Sequence, residues 1–189
     1  MNDLTRKELI IFTSQSLRQY GFRAVRMDII AHNMKISKRT LYETYGTKEN
    51  LISDCLKSYS DRTKNIFEIT KYDASDPLKY LFNILEHYIN NLYKAECIFW
   101  KDITKYYPQI YQSIQKIWTD ELEEIIHICK NKLLVTPDID IKSFLHSLTC
   151  FLYSARITNL PIDMSYKSAF YMLRGILTVS GIMKIELLD

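Results

Sequence analysis

Helix and strand breakers are scarce in this chain. Glycine stands only at 21, 46, 175 and 181, and proline only at 77, 108, 137 and 161. Apolar residues recur at i, i+3 and i+4, and no alternating strand pattern bounded by turns is found, so the scarcity predicts an all-α protein of about nine helices. Long apolar runs are missing too. The stretch 144–155, around His146, falls short of the ~20 residues that a membrane span needs. The opening MNDLTRKELI carries charges where a signal peptide needs an apolar segment. A cytoplasmic protein without a membrane partner is the expectation. Disulfide and metal patterns are equally absent. Cys55, Cys97, Cys129 and Cys150 form no CxxC pair and no metal-ligand spacing, and each lies in an apolar helical pattern where a thiol behaves as a small hydrophobe. No cofactor is expected. At 189 residues and 47% apolar, the chain can bury a core without such staples.

Enzyme signatures are also lacking. Neither a phosphate-cradling glycine loop nor HExxH occurs. Glu124-x-x-His127 has the spacing of half a carboxylate-bridged di-iron site, but a second Glu-x-x-His on another helix is not there. A helical-bundle metalloenzyme is therefore set aside, and the chain is not expected to be an enzyme. The net charge of +3 hides an uneven distribution. Residues 1–64 hold 12 Lys and Arg against 7 Asp and Glu, a balance of +5, while the remainder holds 13 against 15, a balance of −2. Only the first third is basic, which favours a polyanionic partner there.

The first helix is predicted from Asp3 or Leu4 to about Tyr20, burying Leu9, Phe12, Ser16 and Tyr20, with Gly21 ending it and Phe22 folding back. A second, Met27 to Met34, turns Ile30, Ala31 and Met34 inward. After the turn Met34-Lys35-Ile36, Ser37 caps a short third helix that Gly46 stops, and Thr47 caps the next. Further helices are predicted over Lys48–Thr70, from the Asp76-Pro77 cap to Lys94, over Glu96–Lys105, and from Pro108 to about Leu134. The last two are Asp140–Asn159 and Met164–Leu187. The final pair is apolar over more than one face, and the last carries Ala169, Gly175, Ser180 and Gly181. Either the small residues serve a close crossing inside one subunit or, as preferred here, the pair packs against its twin in a homodimer.

The third helix is a poor core element. With Leu41 as its anchor, Lys38, Arg39, Thr40 and Tyr42 are left for a partner rich in acceptors and negative charge. Helix, short turn and capped helix with a basic exposed face is helix-turn-helix geometry, and double-stranded DNA is the partner it fits. Arg39 suits bidentate contact with guanine, and Lys38 lies beside it at the end that meets base edges. Thr40, Tyr42 and Tyr45 are candidates for phosphate or thymine-methyl contact, with a core position as the alternative for Tyr45. Lys48 adds charge at a helix start.

Phe12, Gly21-Phe22, Met27-Asp28, Ile30-Ala31, Ile36-Ser37-Lys38-Arg39-Thr40-Leu41-Tyr42, Tyr45 and Lys48-Glu49-x-Leu51 resemble the N-terminal signature of TetR-family transcriptional regulators. The likeness covers roughly the first third of the chain. Two positions depart from it. Lys35 stands where the family often has Gly in the turn, costing ~1 kcal/mol if left-handed. Val25-Arg26 stands where a Thr often precedes the second helix, leaving Arg26 to replace a hydroxyl–phosphate contact. The resemblance implies residues 1–47 as the DNA-binding head and 48–189 as a ligand-binding and dimerisation body. It further implies a two-fold dimer on a near-palindromic operator and an effector that changes the separation of the recognition helices through the 48–70 helix, a repressor being the expected form. The DNA-contacting set is then Arg26, Ser37, Lys38, Arg39, Thr40, Tyr42, Tyr45 and Lys48.

The body is rich in aromatics, with His87, His127, His146 and Arg156 beside apolar stripes. His87, Tyr88, Trp100, Tyr107, Trp118, His127, Tyr153 and Arg156 are the candidates for contact with an apolar or aromatic small molecule. The alternative is a solid core and constitutive DNA binding without an effector.

Overall fold

The computed structural model describes residues 3–73 and 76–186. Among these residues ten α-helices run in the order α1 (Asp3–Ala24), α2 (Met27–Asn33), α3 (Lys38–Tyr45), α4 (Lys48–Asp73), α5 (Pro77–Tyr93), α6 (Cys97–Tyr106), α7 (Pro108–Asn131), α8 (Ile141–Ile157), α9 (Ile162–Arg174) and α10 (Val179–Glu186). Among the described residues the one departure from helix and loop is an isolated antiparallel bridge between Val135 and Leu177. No described helix is long and apolar enough to cross a membrane. The chain divides into two compact units that interleave in sequence: residues up to Thr63 with Ala95–Ile114, and Lys64–Lys94 with the residues from Gln115 onward.

In the first unit α1 buries Leu9, Thr13 and Leu17, while Phe12 and Ser16 are half-buried at the edges of that stripe. Tyr20, expected inside, is 55% exposed; the stripe at i, i+4, i+8 turns away from it before the helix ends. Gly21 breaks the helix with φ 78°, and a side chain there would meet Asp102 Oδ2 at 2.7 Å. Two demands, a left-handed backbone and a close neighbour, thus require glycine. Phe22 then folds inward against Phe99 and Tyr107, with ring centroids 5.2 and 4.9 Å away. Asp102, buried on α6, accepts from the Arg23 backbone N–H at 3.1 Å. The backbone N–H of Glu96 donates to the Arg18 carbonyl at 2.8 Å. The α1 terminus and α6 are therefore held by backbone and side-chain bonds as well as by apolar contact.

In the second unit α5 places Leu78, Leu81, Leu85, Tyr88 and Leu92 in the core, after the predicted Asp76 cap, whose carboxylate accepts from the Leu78 and Lys79 N–H groups. Tyr88 stacks on Trp118 of α7 at 5.2 Å, and Phe67 of α4 meets the same indole edge-on at 5.1 Å. The Tyr93 hydroxyl lies 2.7 Å from both the Leu160 carbonyl and Ser165 Oγ, tying α5 to the start of α9. Burial pushes the Cys55 and Cys129 thiols, one in each unit, up to about 11, so both stay protonated as small core groups.

The expected final helix from Met164 to Leu187 is two helices, and Leu187 lies outside the described residues. The break comes from a distant partner. The Thr136 N–H donates to the Ile176 carbonyl at 2.9 Å and the Thr178 N–H to the Leu134 carbonyl at 3.0 Å, so backbone pairing replaces helical bonds there. Gly175 is the C-cap of α9 rather than a mid-helix residue. Gly181 sits so close to the α7–α8 connection that an added Cβ would lie 2.3 Å from the Leu134 carbonyl oxygen. Its close approach is to its own chain.

Candidate nucleic-acid interface

The turn between α2 and α3 is built by backbone bonds. The Lys35 N–H donates to the His32 carbonyl and the Ile36 N–H to the Ala31 carbonyl, both at 3.1 Å. This pair of bonds closes a Schellman end with Lys35 left-handed at φ 53°. The departure from glycine noted in the sequence therefore falls on a position that favours glycine. Ser37 follows in an extended conformation and its Oγ accepts from the Thr40 N–H at 3.0 Å. The Ser37 and Thr40 hydroxyls are 2.8 Å apart. Both residues thus set the start and direction of α3, and their hydroxyls begin in the cap.

Leu41 and Tyr45, four residues apart, form the buried face of α3, while Lys38, Arg39, Tyr42 and Glu43 are exposed. Arg39 is 87% exposed in its side chain and its Nε donates to Glu43 Oε1 at 2.7 Å. An exposed i,i+4 pair is worth only ~0.3–0.5 kcal/mol, so it orients the guanidinium without trapping it. Exposed Arg26 caps α2 without a side-chain bond and lies 3.6 Å from the half-buried Asp28.

Two of the candidate contact residues are turned inward. Tyr45 is 5% exposed, with the Arg6 guanidinium 5.8 Å from its ring centroid, and burial raises its phenol above the ordinary value. It is a core residue, the alternative read for it above. The Lys48 ammonium donates to the Phe22 carbonyl, and burial lowers its pKa against the opposing pull of Glu49 and Asp102. Its bond joins the α4 start to the end of α1. Glu43, which sequence reasoning left out, is the partner of Arg39; its i,i+4 spacing was the available signal.

The ligand candidates are scattered. Tyr88 and Trp118 are together in the second unit. Trp100 and Tyr107 belong to the first, Tyr107 against Phe22. His87 and His127, like His146, are exposed, and Tyr153 is half-buried. Arg156 is buried, its guanidinium 5.1 Å from the Tyr93 ring centroid and 3.2 Å from Asn159 Oδ1. Along α5, α9 and α10 the second unit also holds a groove of about 590 Å³ lined by none of these residues.

No protein-family profile and no curated protein sequence matches the chain. Solved structures do. A TetR transcription regulator from Haloarcula marismortui is 16% identical, with a TM-score of 0.75 over 94% of this chain and 100% of that one. A protein described as a transcriptional regulator from Saccharomonospora viridis, in complex with choline, is 13% identical with a TM-score of 0.79 over 94% and 100%. A gamma-butyrolactone receptor is 17% identical with a TM-score of 0.69 over 95% and 91%. With helices in this order, a capped helix-turn-helix near the start and 91–100% of those chains matched, the protein has the all-α fold of the TetR-family transcriptional regulators.

Proposed function

We propose that this protein is a homodimeric, ligand-responsive DNA-binding regulator of the cytoplasm, acting as a repressor. The observation that carries the reading is the outward row of α3, where Lys38, Arg39 and Tyr42 stand exposed on a helix whose other face, Leu41 and Tyr45, is locked in the core. A rigid two-turn helix with cationic and phenolic side chains at its first turns suits the major groove, with Arg39 reading a guanine and Lys38, Tyr42 and the α4 start gripping phosphate. Residues 1–47 are the reading head; 48–189 serve assembly and sensing. Met164 on α9 and Val179 and Met183 on α10 are large exposed apolar side chains, which supports a two-fold partner on the last helices. The chain of α4 runs from the first compact unit into the second, so a small apolar or aromatic molecule held by the second unit acts on the head through α4. A second reading, constitutive DNA binding, is supported by the dense Tyr88–Trp118–Phe67 core, in which Trp118 is 1% exposed.

Selection of bound sequences from random duplex DNA by the purified full chain tests the proposal. A near-palindrome with half-sites ~34–36 Å apart, or a multiple, is expected. Arg39→Ala is expected to relax preference at one base pair per half-site, costing about 1–3 kcal/mol there. No enriched sequence, or equal loss on selected and random DNA for Arg39→Ala, overturns the assigned reading role.

A further inference from the structure

The groove of the second unit has the dimensions of a ligand site, since about 590 Å³ lies within the ~300–1,000 Å³ typical of small-molecule pockets. Its walls are aromatic for a reason visible in the helices. The core stripe of α5 takes Leu78, Leu81, Leu85 and Tyr88, and that of α9 takes Ser165, Ala169 and Leu173, which leaves Phe82 and Phe170 half-buried at the flanks. Their ring centroids are 5.4 Å apart at an interplanar angle of 40°, and Tyr171 stands edge-on to Phe170 at 6.0 Å. Buried Leu85 and Ile89 also line the groove.

Charge selects the occupant. Two lysines, Lys79 and Lys167, and one glutamate, Glu86, are among the lining residues. Neither lysine has an ion-pair partner among the described residues. Asp76, the acid nearest Lys79 in the chain, is engaged by the N–H groups of Leu78 and Lys79 and by Lys184. A cation such as the choline of the Saccharomonospora protein would meet a lining with two lysines against one glutamate. Ring faces that favour offset or edge contacts, beside a cationic excess, suit a flat anion.

We propose that the α5–α9 groove binds a planar aromatic carboxylic acid, its rings against Phe82, Phe170 and Tyr166 and its carboxylate paired with Lys79 and Lys167. This assigns a site and a ligand class to the sensing role above, and it rests on that role only for the consequence at DNA. Binding itself is tested without DNA, by calorimetric titration of the full chain with 2-naphthoate and with 2-naphthamide as the uncharged match. The acid is expected to bind about tenfold or more tightly than the amide. Replacing both exposed lysines, Lys79→Glu with Lys167→Glu, is expected to lower naphthoate affinity about tenfold or more and leave naphthamide affinity nearly unchanged. Lys79→Gln with Lys167→Gln gives the same direction with a smaller loss, and circular dichroism checks that each variant is folded. Equal affinity for acid and amide, no binding of either, or unchanged naphthoate affinity in both double variants overturns the proposal. So does a shift from dimer to monomer on sedimentation of the charge-reversed variant, which would make the groove a contact between copies. Operator affinity with and without naphthoate is read separately: binding that leaves DNA affinity unchanged upholds the groove as a site and removes its regulatory role.

Discussion

At the residue scale the side chains with the clearest energetic part are the ones that close helix ends. Asp76 closes α5 and pairs with Lys184 of α10. Burial works against its carboxylate, but Lys184 and the Leu78 and Lys79 N–H groups outweigh burial and hold its pKa below the ordinary value. A carboxylate depressed on folding contributes stability above its unfolded pKa, near ~3.9, and loses it as pH falls through the folded value. Asp76→Ala is expected to cost about 0.5–2 kcal/mol at neutral pH, seen as a melting-temperature loss of roughly 2–4 °C per kcal/mol. Asp76→Asn keeps an acceptor for the cap and loses the charge, so its deficit should shrink below about pH 4. A deficit constant from neutral pH to acid would remove the Lys184 pair as a source of stability. Lys48 belongs at this scale too. Its bond to the Phe22 carbonyl gives it a structural duty at the α1–α4 junction alongside its charge.

At the scale of elements, the same helix ending recurs at three positions whose backbone favours glycine and none of which is glycine. Lys35, Leu133 and Asn159 all have φ between 53° and 60°, and each opens a Schellman pair: Ile36 to Ala31, Leu134 to Cys129, Leu160 to Ala155. Leu133 is 71% exposed, so its side chain returns little for the strain. Leu133→Gly is expected to raise stability by about 1 kcal/mol without touching DNA binding, and thermal unfolding checks it. No gain would mean that Leu133 contributes an apolar contact beyond its own chain. Gly181 should respond oppositely. With the Leu134 carbonyl in the place of a Cβ, Gly181→Ala is expected to cost about 1–3 kcal/mol, the usual penalty of overpacking. Sedimentation of the same variant should show assembly unchanged, because the close approach is within one chain; a folded variant that dissociates would return Gly181 to a subunit contact.

At the scale of the whole molecule, charge is segregated along the chain. The first third carries the +5 balance and the exposed α3 row. The aromatic groove and the exposed apolar residues of α9 and α10 lie in the second unit. If each basic head neutralises a few phosphates, the proposed dimer should show a log–log salt slope of order −5 to −9 in DNA binding. Equilibrium titration from low to physiological salt measures it, and a slope near zero would mean that the basic balance of the head does not act on DNA.

What the amino-acid order determined by itself were the features set within a few residues. Ser37, Asp76 and Asp140 cap helices through their own side chains, Gly21 and Gly46 take positive φ, and Leu41 is the anchor of α3. Capping and backbone conformation act over three to six residues, so composition at those positions was enough to expect α-helices, a helix-turn-helix and its outward basic row. Tertiary structure decided the rest. Apolar periodicity names a stripe but not its width, which is why Tyr20, His87 and His127 are outside, Tyr45 is inside, and Phe82 and Phe170 border a groove. The break after Gly175 depends on Leu134 and Thr136, whose backbone pairs with Ile176 and Thr178. A bond between segments some forty residues apart leaves no local signal, because its energy exists only once the helices between them have packed.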